Sequence, residues 1–231
     1  MPEQMLSIVI PVYNEGENIK ICVEKIQKEV EIPFEISLIY DFEEDTTINA
    51  AKGLDVKLIK NKYGKGALNA IKTGLEEAKG EYVAVTMADL SDPPFVINEM
   101  VKKALEKNAD IVCASRYMKG GSQTGGPFLK GLMSKTAGLS LYYLAGIKTH
   151  DSTNSFKLYK KSFLKQIEIE STGGFELGLE LVVKAHINGF KIEEVPTSWQ
   201  DRAFGKSNFK LMKWLPCYLK WYFSAFRRKN V

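Results

Sequence analysis

The sequence predicts an α/β fold with a mostly parallel central sheet flanked by helices. Three observations carry this. Short β-branched runs alternate with amphipathic stretches through the first half of the chain. The runs are almost continuously apolar, as in strands covered on both faces. Several end abruptly in carboxylates, the composition of a sheet edge that receives ligands.

The elements follow in order. Leu6 to Ile10 is the first apolar run. Asn14 to Val30 sets Ile19, Val23, Ile26 and Val30 on one helical face. Phe34 to Tyr40 reads as the second strand, Thr46 to Lys52 as a short helix and Val56 to Ile59 as the third strand. Ala67 to Ala78 is helical, with Gly80 as terminator. Tyr82 to Thr86, Phe95 to Glu106 and Ile111 to Ala114 read as strand, amphipathic helix and strand. Gly120, Gly121, Gly125, Gly126 and Pro127 then predict a flexible loop. Helices are expected over about Leu129 to Ala145 and over Gly178 to Asn188, with a strand over Lys191 to Val195.

The segment Phe209 to Phe226 is dense in aromatics, interrupted by lysines and Pro216, and followed by Arg227-Arg228-Lys229. It matches an interfacial helix with rings at headgroup depth and cations toward anionic lipid. The competing reading is a terminal helix packed on the sheet. The first is preferred, so residues 1–208 are expected to form the main domain and 209–231 an amphipathic, membrane-interfacial segment.

At 231 residues the chain can bury a full core without staples. Cys22, Cys113 and Cys217 are scattered, which fits a reducing compartment and neither a disulfide frame nor a zinc site. The N-terminus enters an apolar strand with no basic flank, so no signal peptide is expected. No run reaches the roughly 18 apolar residues of a membrane span. The net charge of +4 is mild, and no nucleic-acid partner is expected.

Four segments carry chemistry. In Ser7 to Glu15 a strand runs into a proline turn, placing Tyr13 and Glu15 at the sheet's carboxyl edge. Tyr13 there can stack on a nucleobase and Glu15 can accept from a base or ribose; alternatively, Asn14 simply caps the next helix. Asp41 ends the second strand and can bind a ribose or base edge, whereas Glu44 and Asp45 suit a helix N-terminus. Val83 to Pro94 ends in Asp89, Ser91 and Asp92. A carboxylate there can hold a hard divalent cation against a phosphate, or can be a polar strand end with an Asp cap. Arg116 follows the fifth strand, and Lys130, Ser134 and Lys135 lie beyond the glycine loop; this is a phosphate-contacting set or a solvated basic face.

Gly64-Lys65-Gly66 before a helix is either a phosphate-facing turn or a plain tight loop. The segment Arg202 to Ser207 is not a P-loop, because Gln200 stands where the first glycine is required. Its two cations still suit phosphate. His150 and His186 are lone histidines without ligand spacing.

Together these segments resemble the family 2 glycosyltransferases, of the dolichol-phosphate or polyprenyl-phosphate mannose synthase type. The likeness runs from Leu6 to about Phe209. It rests on Ile10-Pro11-Val12-Tyr13-Asn14-Glu15, the Asp41 cluster, Ala88 to Pro94, Ser115-Arg116-Tyr117, Asn154 to Tyr159 and Arg202 to Ser207. The resemblance implies a GT-A fold. It implies a hexosyltransferase that moves a sugar, with inversion, from a nucleotide-sugar donor to a lipid phosphate. The enzyme would lie on the cytoplasmic face of a membrane, peripheral to it, with a membrane-anchoring subunit as a further partner.

By the resemblance, Pro11, Tyr13, Glu15, Asp41 and Ala88 hold the nucleotide side of the donor. Asp89, with Ser91, would hold Mg2+ or Mn2+ on the diphosphate. Arg116 and Arg202 would contact phosphates, with Lys206 beside Asp89 and Arg202 in the catalytic set. Lys130, Ser134 and Lys135 would receive the acceptor phosphate. The chain departs from the family pattern at Met87, where a first metal-binding Asp is usual, at Tyr40, where one of paired aspartates is usual, and at Asn208, where a lysine is usual. A lipid phosphate is already anionic at neutral pH and needs no catalytic base. Two alternatives are a family member acting on a saccharide or protein hydroxyl, with Asp151 or Glu176 as base, and a non-catalytic nucleotide-sugar binder.

Overall fold

In a computed structural model, the described residues are 5–172, 174–201 and 211–227, with side chains at 211–213 not described. The sheet order is β3-β2-β1-β4-β7-β5-β8. Its strands are β1 (Leu6–Pro11), β2 (Phe34–Tyr40), β3 (Lys57–Lys60), β4 (Tyr82–Val85), β5 (Ile111–Ser115), β7 (Lys157–Lys160) and β8 (Ile192–Pro196). All neighbours pair in parallel except β7, which runs antiparallel between β4 and β5. The expected α/β architecture is the observed one.

Period-two alternation sorts the strand side chains into two cores. Ile8, Ile10 and Ala84 face α1 (Asn18–Glu29) and α4 (Val96–Lys107). Val9, Val83 and Val85 face α3 (Ala67–Glu77) and α7 (Leu177–Ile187). The chain leaves β1 to one side for β2 and returns on the other as β4. That change of direction opens a crevice at the carboxyl ends of these strands.

Several expectations need correction. The glycine-rich loop contains a strand, β6 (Ser122–Thr124), paired in parallel with β9 (Ser198–Gln200). Glycine is required at Gly121, where a Cβ would strike the Ser115 and Arg116 carbonyl oxygens. Gly80 does not end α3, whose C-cap is Ala78; it lets the chain pass close to the β1 backbone at Ser7. The strand β7 and the short helix α6 (Lys161–Leu164) were not expected as elements. Helix α5 (Phe128–Ser140) closes with a π-helical turn over Leu141–Ala145.

The C-terminal helix α8 (Leu211–Ser224) packs along α7. Trp221 is 5% exposed, belongs to the core, and donates from Nε1 to Ser171 Oγ at 2.9 Å. Tyr218 and Tyr222 are partly buried against the same core. Leu219, Phe223 and Phe226 remain exposed. The helix expected to present its rings to lipid thus commits part of them to the protein interior.

Candidate active site at the carboxyl edge of the sheet

The turn after β1 is held by a buried carboxylate. Asp45 caps α2 (Thr46–Ala50) through Thr47 N at 2.8 Å and also accepts from Asn14 N at 3.1 Å. Asn14 returns the contact, its Oδ1 accepting from Thr46 N at 3.2 Å, and it adopts φ 53°. A left-handed Asn turn suits this geometry. The turn leaves Tyr13 exposed at the edge, its ring 5.6 Å from Phe42 in an edge-on pair.

Asp41 sits beside them. Its Oδ1 accepts from Asn61 Nδ2 at 2.7 Å and its Oδ2 from Gly66 N at 2.9 Å. The Gly64-Lys65-Gly66 turn is therefore closed onto Asp41, and Lys65 Nζ lies 5.1 Å from the Phe42 ring centre. Tyr13, Asp41, Phe42 and Lys65 thus stand together as one aromatic and charged cluster. Phe42 and Asn61 were not singled out in the sequence; a single Phe among acids gave no pattern to follow.

After β4 the chain turns through Asp89-Leu90-Ser91, with Leu90 at φ 55°. Asp89 Oδ1 accepts from Ser91 N at 3.1 Å. Glu15 and Asp89 both bear on Cys22, whose thiol is pushed up to about 12 by burial and then by these two carboxylates. Pro11 ends β1, and the buried Ala88 lies in the turn after β4, next to Asp89. Asp92 is buried, accepting at Oδ1 from Asn154 Nδ2 and Thr197 Oγ1. Burial pushes its carboxyl up to about 7, against the opposing charge of Arg116, with Asp151 and Asp89 adding. Asp89, Asp92, Arg116 and Asp151 thus share one charge cluster.

Arg116 is not an open cation. Its Nε donates to Asp151 Oδ2 at 2.6 Å and its terminal nitrogen to Asp151 Oδ1 and Ser134 Oγ, both at 2.9 Å. Burial works against both charges, yet their mutual attraction outweighs it: Asp151 is held below the usual carboxylate range and Arg116 above its ordinary value. Asp151 also accepts from the backbone N–H of Arg116 and Asn154. It has no free oxygen with which to serve as a base.

Ser134 is the hub between this pair and α5. Its Oγ lies 3.0 Å from Tyr117 OH and 2.6 Å from Thr153 Oγ1. A Cβ at Gly138 would strike the His150 carbonyl oxygen, so glycine there lets α5 approach the segment that carries Asp151. Lys130 lies one turn before Ser134 on the same face, while Lys135 is exposed on another side. Tyr117 and Thr153 join through contacts 17 and 19 residues distant in sequence, invisible to local pattern.

Arg202, Lys206 and Asn208 lie outside the described residues. Gln200 N donates to Ser91 O at 2.9 Å, so β9 ends against the Asp89–Ser91 turn. Glu176 is buried and accepts from Gly174 N at 2.7 Å. His150 stacks on Tyr142 and pairs with Glu194, away from the strand ends of β1, β2 and β4.

A divalent cation can be tested against this donor set. No group of three or more His, Cys, Asp or Glu suited to a metal occurs among the described residues. The β4 turn offers one carboxylate, Asp89, adjoining Ser91. Such a set fits a hard cation that takes most of its oxygens from a diphosphate and water.

The glycosyl transferase family 2 profile matches residues 7–168. Dolichol-phosphate mannosyltransferase from Pyrococcus furiosus is 32% identical over 214 residues, covering 89% of this chain and 59% of that protein. Polyprenol monophosphomannose synthase from Mycolicibacterium smegmatis is 29% identical over 236 residues, covering 92% of this chain and 88% of that protein. The chain therefore spans less than two thirds of the first relative and most of the second. Among solved structures, glucosyl-3-phosphoglycerate synthase from Mycobacterium tuberculosis in complex with UDP superposes with a TM-score of 0.74 at 16% identity, covering 97% of this chain and 80% of that one. The same synthase with Mn2+, UDP and glucosyl-3-phosphoglycerate gives 0.68 at 14% identity, covering 99% and 81%. At such identities the likeness is one of fold, the GT-A arrangement. The profile match spans well over half of the sequence, and the chain belongs to glycosyl transferase family 2.

Proposed function

We propose that this chain is a hexosyltransferase moving a sugar, with inversion, from a nucleotide-sugar donor to a polyprenyl phosphate of the dolichyl type. Residues 1–208 carry the chemistry, and 209–231 help hold the enzyme peripherally on the cytoplasmic face of a membrane. The observation that carries this reading is the division of the carboxyl edge. A carboxylate and aromatic cluster at the ends of β1 and β2 stands on the same edge as the Asp89 turn, and a hydroxyl and cation set on α5 lies beyond it. The names of the curated relatives support the same acceptor class.

In this reading Tyr13 stacks on the base, while Pro11, Glu15, Asp41 and Ala88 shape the nucleoside pocket. Asp89, with Ser91, would hold a divalent cation, whose chemistry there would be to neutralise charge on the departing diphosphate. Arg116 acts chiefly by fixing Ser134 and the 151–153 segment. Lys130 and Ser134 orient the acceptor phosphate, whereas Lys135, on another side of α5, takes no part in it; Arg202 and Lys206 supply cations to the donor phosphates. An acceptor phosphate oxygen attacks the anomeric carbon from the face opposite the diphosphate, and the C–O bond to the diphosphate breaks. Alignment and charge neutralisation supply the acceleration. A hydroxyl acceptor would need a base, and Asp151 is fully engaged by Arg116 and two backbone N–H groups.

The test is to incubate the purified chain with a panel of radiolabelled nucleotide sugars, a polyprenyl phosphate and Mg2+ or Mn2+. A labelled, mild-acid-labile lipid is the expected product. Acid-stable label on a saccharide, or donor binding with no transfer, would overturn the reading.

A further inference from the structure

Three polar side chains converge on one hydroxyl, and two more stand behind them. Ser134 Oγ on α5 meets a terminal nitrogen of Arg116 at 2.9 Å, Tyr117 OH at 3.0 Å and Thr153 Oγ1 at 2.6 Å. Thr153 Oγ1 lies 3.3 Å from Asp151 Oδ1, and Tyr117 OH lies 3.0 Å from Gln123 Oε1. Arg116 and Tyr117 follow β5, Gln123 is on β6, and Asp151 and Thr153 lie in the segment before β7. The cluster thus ties four separate parts of the chain to one oxygen.

Each hydrogen in it has a place. A hydroxyl offers one hydrogen and two lone pairs, a guanidinium only donates, and an ionised carboxylate only accepts. Burial opposes the charge of Asp151, yet Arg116 holds its carboxyl below the usual range, so it stays an acceptor. Burial pushes the Tyr117 hydroxyl up, so it stays a neutral donor. Arg116 fills one lone pair of Ser134. The short Ser134–Thr153 contact holds a single hydrogen. With the Asp151 carboxylate at its far end, that path of donors runs from Ser134 through Thr153 to Asp151.

Tyr117 has one hydrogen and two acceptors at equal distance, Gln123 Oε1 and Ser134 Oγ. A Cβ on Gly131 would come within 3.0 Å of Gln123 Nε2, so the amide turns its nitrogen to α5 and its oxygen to Tyr117. The Tyr117 ring is itself held, with the Arg116 guanidinium carbon 4.8 Å from its centre. When an anion draws the Ser134 hydrogen away from Thr153, Ser134 Oγ becomes the stronger acceptor and the Tyr117 hydrogen turns to it.

We infer that Tyr117 and Thr153 are positioning residues that make Ser134 a one-way donor, and that they thereby select a hydrogen-free phosphate oxygen over a hydroxyl as the attacking group. This rests on the acceptor reading above and names what enforces it. Arg116 and Tyr117 occupy both lone pairs of Ser134, and Thr153 gives its hydrogen to Asp151. Ser134 is left with a hydrogen to offer and no lone pair to lend. A hydroxyl must lose its proton on attack, and it finds no open acceptor on Ser134 or Asp151. For a phosphate oxygen the new bond to the anomeric carbon forms as the bond to the diphosphate breaks, and no proton moves.

The test is transfer by the full chain to a short-chain, water-soluble polyprenyl phosphate, with KM measured separately for donor and acceptor. Rates are read below the melting temperature of each variant, where a weakened but folded enzyme keeps its KM values. Tyr117→Phe and Thr153→Val should each raise the acceptor KM about tenfold and leave the donor KM within about twofold. Thr153→Ser keeps the hydroxyl and should retain the wild-type values. In a Ser134→Ala background, Tyr117→Phe should change the acceptor KM by less than about twofold, because its partner is already gone. An unchanged acceptor KM in Tyr117→Phe and Thr153→Val overturns the proposal. So do equal rises in both KM values, or a Tyr117→Phe effect that survives in full without the Ser134 hydroxyl. Wild type that transfers to the polyprenyl phosphate beside indifferent variants sinks the positioning role alone. Wild type that transfers nothing to it, or labels the matching polyprenol instead, sinks the acceptor reading itself.

Discussion

Arg116 and Asp151 form a two-pronged ion pair at the centre of the acceptor side, with contacts of 2.6 and 2.9 Å. The Asp151 side chain is fully buried and that of Arg116 is 11% exposed. Removing one partner of such a pair leaves an uncompensated charge in the interior. The pair also joins the end of β5 to Ser134 of α5, so it is at once a stability element and the frame of the site.

Asp151→Asn is therefore expected to lower stability by about 3–5 kcal/mol at pH 7. Asp151 is held below its ordinary value, so the folded state prefers the ionised form. Its contribution is complete above the usual carboxylate range and fades as pH falls through the lowered folded value. Urea unfolding of wild type and variant at pH 7 and near pH 3 checks this. The gap should narrow in acid, and a gap independent of pH would count against it.

Asp41→Ala should act on donor binding. The substitution removes the acceptor for Asn61 Nδ2 and Gly66 N, which closes the turn carrying Lys65. Hydrogen bonds to a charged group are worth about 1.5–3 kcal/mol. Donor KM should rise roughly tenfold or more, with kcat changed much less. A fall in kcat at unchanged KM would move Asp41 from binding to the chemical step.

Asp89→Ala should show the opposite signature. If Asp89 fixes the cation on the departing diphosphate, its loss removes stabilisation that grows as the bond breaks. A fall in kcat of about a hundredfold or more is expected, the scale of losing one preorganised charge-stabilising group. Initial rates across Mg2+ and Mn2+ concentrations measure it, and wild-type metal dependence in the variant would exclude the role.

The sheet edge was legible because strands and carboxylates lie together in sequence: β2 falls on Phe34–Tyr40 as read, and Asp45 is a helix cap as expected. The strand β7 was not legible. Lysines at 157, 160 and 161 make the segment look like a solvated turn, yet Lys157 is buried with its ammonium on the Ser152 and Asn154 carbonyl oxygens. The strands β6 and β9 are three residues each, Ser122–Thr124 and Ser198–Gln200, too short to show a period. Arg116 was read as a phosphate contact, but its partner lies 35 residues away, and no local pattern announces that Asp151 neutralises it.

Trp221 and Phe223 test how α8 divides its work. They lie two residues apart on one helix, so they point to different sides. Trp221 fills the core against α7, donates to Ser171 Oγ, and has Lys184 and Lys220 within 5.1 and 4.6 Å of its ring centre. Trp221→Ala should cost about 3–5 kcal/mol, because it opens a cavity and leaves Ser171 without its donor. Phe223→Ala, at an exposed site, should stay within about 0.5 kcal/mol. Thermal unfolding of both variants gives the comparison, and limited proteolysis of Trp221→Ala should cut the freed C-terminal helix first. Equal stability losses would mean that α8 has no outward face. Negligible loss at Trp221 would mean that the helix is not anchored to the domain and that its rings are free for another surface.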